Sequence, residues 1–240
     1  MLMKNVITTV LFDLDGTLLP MDQDEFTKGY FKYLIKKLAP HGYEPDSLIN
    51  AIWHGTGAMV KNRGEKTNEQ AFWEDFAVIY GADRAERDRP LFEEFYDVDF
   101  KAARQTCGYT PMAREAVDLL KNKGKRLILA TNPIFPLTAT KTRTEWAGLD
   151  LSDFEICTTY ENINFCKPNP EYYLEILRRS KLTAEECLMV GNDVSEDMIA
   201  ETLGIDVFLL TDCMINKSGE SIDKYKHGNF SQLLEYLKAI

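Results

Sequence analysis

The chain is 240 residues long, 45% hydrophobic and 28% charged, which suits one large globular domain or two modest ones with proper apolar cores. A net charge of -10 and a sequence pI near 4.9 speak against a general nucleic-acid surface or a face for anionic membranes. No apolar stretch approaches the roughly 20 residues that span a bilayer, and the Met-Leu-Met-Lys-Asn start lacks the marks of a secretory signal, so a cytoplasmic protein is expected.

Residues 10–17, Val-Leu-Phe-Asp-Leu-Asp-Gly-Thr, are an apolar run ending in two aspartates one residue apart. As a strand, its period of two points Asp13 and Asp15 to the same side at the strand end. Two ionised carboxylates that close repel, so one must be protonated or a cation must sit between them. Gly16 and Thr17 fit a tight turn followed by a hydroxyl able to bond those carboxylates.

From residue 22 to about 105 helical spacing recurs without a convincing strand. Phe26, Tyr30, Phe31, Leu34, Ile35 and Leu38 keep helical spacing, as do Leu48, Ile52, Met59 and Val60 less cleanly, and Phe72, Phe76 and Ile79. Trp53 and Trp73 read as core of this helical module, and Lys61 with Arg63 as a solvated helix end. The chain then passes through an acidic stretch to Cys107.

At Thr110 the pattern changes to alternating helix and strand. Pro111 suits a helix start and Gly124 its end, and a short strand over 127–130 stops at Thr131-Asn132. Further strands are expected over 154–159, 188–190 and 207–210, with helices near 170–180, 195–203 and 230–238. Strands separated by helices of this length imply a parallel sheet covered on both faces. The five cysteines show no Cys-x-x-Cys pair and read as reduced structural thiols, and the three histidines share no metal-ligand spacing.

Three polar clusters fall at or just after expected strand ends: Thr131-Asn132, Lys167-Pro168, and Gly191-Asn192-Asp193 with Asp197 four residues on. Alone, each describes a solvated turn or a helix start with favourable acids. Parallel strands, however, bring their C-terminal ends to one edge, where these clusters would meet Asp13 and Asp15. Carboxylates, one ammonium and one hydroxyl in a single crevice suit Mg²⁺ and a phosphoryl group, because phosphoryl transfer asks mainly for positioning and charge neutralisation. The cation would take carboxylates from Asp13 and Asp193 together with a backbone carbonyl, and Asp13, Asp15 and Asp193 make up the expected metal site. Lys167 would add positive charge and Thr131 a hydrogen bond.

In this arrangement the segments resemble the four signature motifs of the haloacid dehalogenase-like hydrolase superfamily. Asp13-Leu14-Asp15-Gly16-Thr17 is similar to the first, Thr131 to the second, Lys167 to the third, and Asp193 through Asp197 to the fourth. The fold this implies is α/β, a Rossmann-like parallel sheet core with helices on both faces plus an inserted all-helical cap domain. The core would be residues 1–19 and 106–240 and the cap 20–105, with hinges near 18–22 and 100–110.

The resemblance further implies that Asp13 is a nucleophile forming an aspartyl-phosphate, and that Asp15 protonates the leaving oxygen and then activates water. Lys167 would contact the nucleophile and the phosphoryl oxygens, while Asn132 would offer its backbone N–H to the phosphate. The fourth motif often places an acid directly after its glycine, where this chain has Asn192; counting back four from Asp197 selects Asp193 as the metal ligand. Asp197 would then orient Lys167 or a metal-bound water. Branches that cleave carbon–halogen bonds lack the second acid, so Asp15 favours a phosphate ester.

The expected activity is thus a Mg²⁺-dependent phosphatase acting on a small phosphorylated metabolite, with neither nucleic acid nor membrane as partner. A sugar phosphomutase of the same superfamily and a non-catalytic binding protein on this fold are the competing readings. Nothing in the sequence sets an oligomeric state.

Overall fold

The computed structural model describes residues 6–240; the expectation about the chain start concerns residues 1–5, which lie outside them. Strand β1 (Thr9–Phe12) is buried along its whole length. Four helices follow: α1 (Gln23–Leu38), α2 (Pro45–Val60), α3 (Asn68–Tyr80) and α4 (Ala82–Asp97), then a 3-10 stretch (Asp99–Thr106). Asp22 caps α1 by accepting from the N–H groups of Asp24 and Glu25, and Thr67 with Gln70 closes a reciprocal capping box on α3.

The second half alternates as expected. Helix α5 (Pro111–Asn122) leads to β2 (Arg126–Leu129), α6 (Leu137–Trp146), β3 (Ile156–Cys157), α7 (Pro170–Ser180) and β4 (Cys187–Gly191). A 3-10 turn (Met198–Leu203), β5 (Asp206–Leu210), β6 (Lys226–Gly228) and α8 (Phe230–Ala239) complete it. Helix α6 and strand β6 have no counterpart in the sequence reading. Strand β3 keeps two residues of the expected six, and the helix expected over 195–203 is a 3-10 turn beginning at Met198.

All six strands are parallel, in the order β3-β2-β1-β4-β5-β6. Phe12 stands beside both Leu129 of β2 and Val190 of β4, so the chain order reverses around β1 and opens a crevice beyond its C-terminal end. Alternation divides the core into two layers. Val10, Phe12, Leu129 and Val190 pack with Leu120 of α5 and Leu233 of α8, whereas Leu11, Ile128 and Met189 pack with Tyr172, Tyr173 and Ile176 of α7. Both faces of the sheet are therefore dry, which explains why its strands read as continuous apolar runs.

The helical segment between β1 and α5 rests on the sheet edge. Its two connections run side by side, with Met21 paired antiparallel to Cys107 and the Gly108 N–H donating to the Pro20 carbonyl at 2.7 Å. At the far end, the start of α3 docks on the loop that follows β3: the N–H groups of Asn68 and Glu69 donate to the carbonyls of Ile163 (3.1 Å) and Tyr160 (2.8 Å). Asn68 is fully buried there, its amide 3.2 Å from the Pro133 carbonyl. Gly64 crosses the same loop with φ +91°, and a Cβ on it would lie 2.3 Å from the Phe165 ring.

Within the helical segment one buried carboxylate ties elements together. Asp88 on α4 accepts from the Tyr43 hydroxyl at 3.0 Å and from Arg87 Nε at 2.7 Å. The Arg87 hydrogen bond, helped by Tyr43, holds its carboxyl down at about 2, against an ordinary value of 3.8. A depressed folded-state pKa stabilises the fold above the unfolded value and loses that contribution as pH falls through the folded one. Asp88→Asn should therefore cost about 1 kcal/mol at pH 6 in urea unfolding, and the gap from wild type should close as pH falls from about 4 towards 2. A gap that stays constant across that range would show that the Asp88 charge is not what matters.

Candidate active site

The ladder between β1 and β4 extends one step further, with the Asp13 N–H donating to the Val190 carbonyl at 2.9 Å, which sets the first aspartate at the mouth of the crevice. The next turn brings the loop against the end of β4. Gly16 has φ +84°, and any Cβ on it would fall 2.2 Å from the Asn192 amide nitrogen, so glycine is required on both counts. Thr17 Oγ1 lies 3.3 Å from Asp13 Oδ2 and 3.2 Å from Asn192 Oδ1.

Lys167 enters from the other side of β1. It and Pro168 are the central residues of a turn closed by the Asn169 N–H on the Cys166 carbonyl (3.0 Å), with a cis peptide between them. The side chain is wholly buried, and its Nζ donates to Asp13 Oδ1 at 2.9 Å and to Asp197 Oδ1 at 2.6 Å. Asp197 is oriented in turn by the Asp193 N–H, which donates to Oδ2 at 3.0 Å. Gly191 makes room for it, since a Cβ there would meet that carboxylate oxygen at 2.1 Å.

Asn132 supports the lysine through its side chain, accepting from the Lys167 N–H (3.3 Å) and donating to Glu196 Oε2 (2.9 Å). Thr131 is buried beside the crevice, its carbonyl held by the hydroxyls of Thr158 and Tyr172 at 2.6 and 2.9 Å.

Two carboxylates share one ammonium in a place that water hardly reaches. Burial pushes the Asp13 carboxyl up to about 8 against the opposing pull of Lys167, and the charges of Asp197 and Asp15 push the same way. Burial alone would lower the Lys167 ammonium, but the Asp13 and Asp197 carboxylates hold it well above its ordinary value. Glu196 is raised to about 7, chiefly by burial.

Asp15 has a partner that the sequence reading missed. Arg143 on α6 is fully buried, pairs with Asp15 Oδ2, and stacks over the Phe135 ring with its guanidinium 4.4 Å from the centroid. The other carboxylate oxygen, Asp15 Oδ1, is shielded from solvent and has no hydrogen-bond partner. The available signal was a lone arginine among the threonines of Thr140-Lys141-Thr142-Arg143-Thr144, four of which are buried. Charged residues are rarely buried unless paired.

The structure thus gathers all the expected residues at one sheet edge. Asp13, Asp15, Thr131, Asn132, Asp193 and Asp197 line a single cavity of about 1330 Å³, and Thr17 and Lys167 touch Asp13 from behind. It does not gather Asp13, Asp15 and Asp193 into a cage: among the described residues no three Asp, Glu, His or Cys side chains meet as a metal-ligating group. The reason lies in their partners. Asp13 turns to Lys167, Asp15 to Arg143, and Asp193 Oδ1 accepts from the N–H groups of Ser195 (2.7 Å) and Glu196 (2.9 Å).

Of the two candidates in the fourth segment, Asn192 presses on the Asp13–Thr17 loop. A site where Asp13 and Asp193 line one cavity and neighbouring acids help raise Asp13 still fits Mg²⁺, which keeps several waters and takes one or two carboxylates rather than a full protein cage.

A family model described as haloacid dehalogenase-like hydrolase matches residues 7–200. The chain is 26% identical over 202 residues to a phosphoglycolate phosphatase of Nitrosospira multiformis, covering 84% of this chain and 82% of that protein. It is 27% identical over 192 residues to the pyrophosphatase PpaX of Bacillus thuringiensis, covering 78% and 75%. Among solved structures, a 2-haloacid dehalogenase from Pseudomonas syringae pv. tomato superposes with a TM-score of 0.61 at 21% identity, over 98% of this chain and 99% of that one, which shows a shared fold.

Removing the buried cation should expose the cost of the acids around it. Lys167→Met should lower stability by about 3 kcal/mol at pH 8 in urea unfolding, because it strands two buried carboxylates. The loss should grow as pH rises from 8 towards 10, where Asp13, raised to about 8 with the lysine present, gives up its proton, and adding Asp197→Asn should recover part of it. An equal loss at pH 8 and pH 10 would mean the lysine acts through packing.

Proposed function

Since the chain belongs to the haloacid dehalogenase-like hydrolase family, we propose that it is a magnesium-dependent phosphatase that hydrolyses a small phosphorylated metabolite through an aspartyl-phosphate on Asp13. The observation that carries this reading is the Lys167 ammonium, buried 2.9 Å behind Asp13, which lines the same cavity as Asp15. A nucleophilic carboxylate, a fixed cation and a second acid are what an in-line displacement at phosphorus needs. The names of the two relatives, a phosphoglycolate phosphatase and a pyrophosphatase, point the same way.

In the first step Asp13 attacks phosphorus as the bond to the leaving oxygen breaks, and Asp15 gives that oxygen its proton. Lys167 neutralises charge on the phosphoryl oxygens, and Thr131 donates a hydrogen bond from the cavity wall. In the second step Asp15, now a carboxylate, takes a proton from water as the water oxygen bonds to phosphorus and Asp13 is released. Arg143 grips one oxygen of Asp15, leaving Oδ1 for the travelling proton. Asp13, the main-chain carbonyl of Asp15, and Asn192 or Asp193 would hold magnesium, which would supply the remaining positive charge for the phosphoryl group.

Residues 20–105 act as the cap and 106–240 with 1–19 as the catalytic core. The paired connections at Met21 and Cys107 are where the two would hinge, and closure over the sheet edge would exclude bulk water. Five free cysteines fit work in the cytoplasm.

Purified protein should release inorganic phosphate from p-nitrophenyl phosphate, rather than isomerise a sugar phosphate. EDTA should abolish the activity and Mg²⁺ restore it. Asp13→Asn should lower kcat by at least about a thousandfold, the scale of losing a nucleophile; undiminished turnover would refute the covalent route. Arg143→Met should lower kcat about a hundredfold with KM changed only a few-fold, as expected for a misplaced acid. An unchanged kcat would remove Arg143 from the mechanism.

A further inference from the structure

The cavity of about 1330 Å³ is far larger than a phosphate needs, and its upper half belongs to the helical segment. Trp53, read from sequence as core, is 53% exposed there, and both it and Trp73 line the space. Tyr30, Tyr96, Tyr160 and Phe135 stand around it, with the hydroxyls of Tyr30 and Tyr96 3.0 Å apart. The wall of this half is thus largely aromatic.

Glu69, Asp97 and Glu161 line the same half. Arg89 neutralises Glu69 and lies over Trp73 with its guanidinium 5.2 Å from the ring centroid, and Arg143 is committed to Asp15. Glu161 and Asp97 have no cationic partner among the described residues. Glu161 accepts the Leu137 N–H on Oε1 at 2.9 Å, while its Oε2 is shielded from solvent and unpartnered. It stands close enough to Tyr96 and Tyr160 that its charge adds to the effect of burial in raising both phenols.

Among the described residues no basic side chain of the helical segment lines this cavity, although Arg89 reaches Glu69 and Trp73 at its edge. Lys61 and Arg63 border a separate, shallow pocket of about 400 Å³, and Lys217 is the one lysine lining the large cavity. A leaving group that carries its own carboxylate or second phosphate would find repulsion here. A protonated or quaternary nitrogen would find carboxylate oxygens and aromatic faces together, the pairing that binds ammonium groups.

We propose that the substrate is a phosphorylated amine, bound with its phosphate at Asp13 and Lys167 and its cationic nitrogen among Tyr96, Tyr160, Trp73 and Glu161. This rests on the phosphatase reading and names the substrate class for the same site.

Two matched pairs of esters test it: 2-aminoethyl phosphate against ethyl phosphate, and glucosamine 6-phosphate against glucose 6-phosphate. In at least one pair kcat/KM for the amine should exceed that for its neutral partner about tenfold or more, the scale of one desolvated cation–π and carboxylate contact. Glu161→Gln, which keeps the Oε1 acceptor for Leu137, should cut that ratio at least about fivefold through KM. Calorimetric titration of the Asp13→Asn protein with the same esters reads binding without turnover.

Equal or reversed preference in both pairs, by kinetics and by calorimetry, would overturn the ammonium site and leave the phosphatase reading intact. Tighter binding of the amines with no hydrolysis of any ester, p-nitrophenyl phosphate included, would support the ammonium site and defeat the phosphatase reading.

Discussion

Everything at this sheet edge is arranged around one buried ammonium. Lys167 has no solvent and two carboxylates, Asp13 and Asp197, within hydrogen-bond distance. Such a triad is stable only if each member is held by something other than water, because a buried charge left unpaired is severely destabilising. Local chemistry follows from that demand. Gly191 is bare so that Asp197 fits, the Asp193 N–H fixes the carboxylate, and the Asn132 amide holds the main chain of Lys167. The site is thus preorganised by the fold before any substrate arrives, which is the condition for strong electrostatic stabilisation of a phosphoryl group.

The second acid depends on a different part of the chain. Asp15 is paired with Arg143, whose helix α6 lies between β2 and β3, and the Phe135 ring beneath that guanidinium also touches Phe26 and Tyr30 of α1 at 6.2 and 5.6 Å between centroids. A shift of α1 over the sheet edge would therefore reach the support of Asp15 through one aromatic ring. On the opposite side, the docking of Asn68 and Glu69 on the loop ending at Lys167 couples α3 to the buried ammonium. The helical segment touches both halves of the reaction site.

Much of this was legible in residue order because parallel strands place motifs at one edge whatever their spacing. The Asp13–Thr17 loop, the strand end at Thr131 and the helix start after Lys167-Pro168 all carry local signals: an apolar run, a turn residue, a proline. What was hidden depended on tertiary contact. Helix α6, Leu-Thr-Ala-Thr-Lys-Thr-Arg-Thr-Glu-Trp, is threonine-rich with no apolar stripe, since it buries hydroxyls and a guanidinium. The first half of α4, Ala-Asp-Arg-Ala-Glu-Arg-Asp-Arg, is too polar to show a period. That Asn192 meets the first loop while the Asp193 carboxylate accepts from the Ser195 and Glu196 N–H groups also needed coordinates, because both residues follow Gly191. Trp53 reads as core because a large aromatic in a helical module usually packs inside, yet it faces the cavity.

Phosphorus should be bonded to the chain itself during turnover. Acid quench of the protein while it hydrolyses a radiolabelled phosphate ester, followed by peptide mapping, should find hydroxylamine-labile label on Asp13 that is chased into free phosphate. Label that never appears on the chain during steady turnover, or that maps to another residue, would contradict the role assigned to the carboxylate beside Lys167.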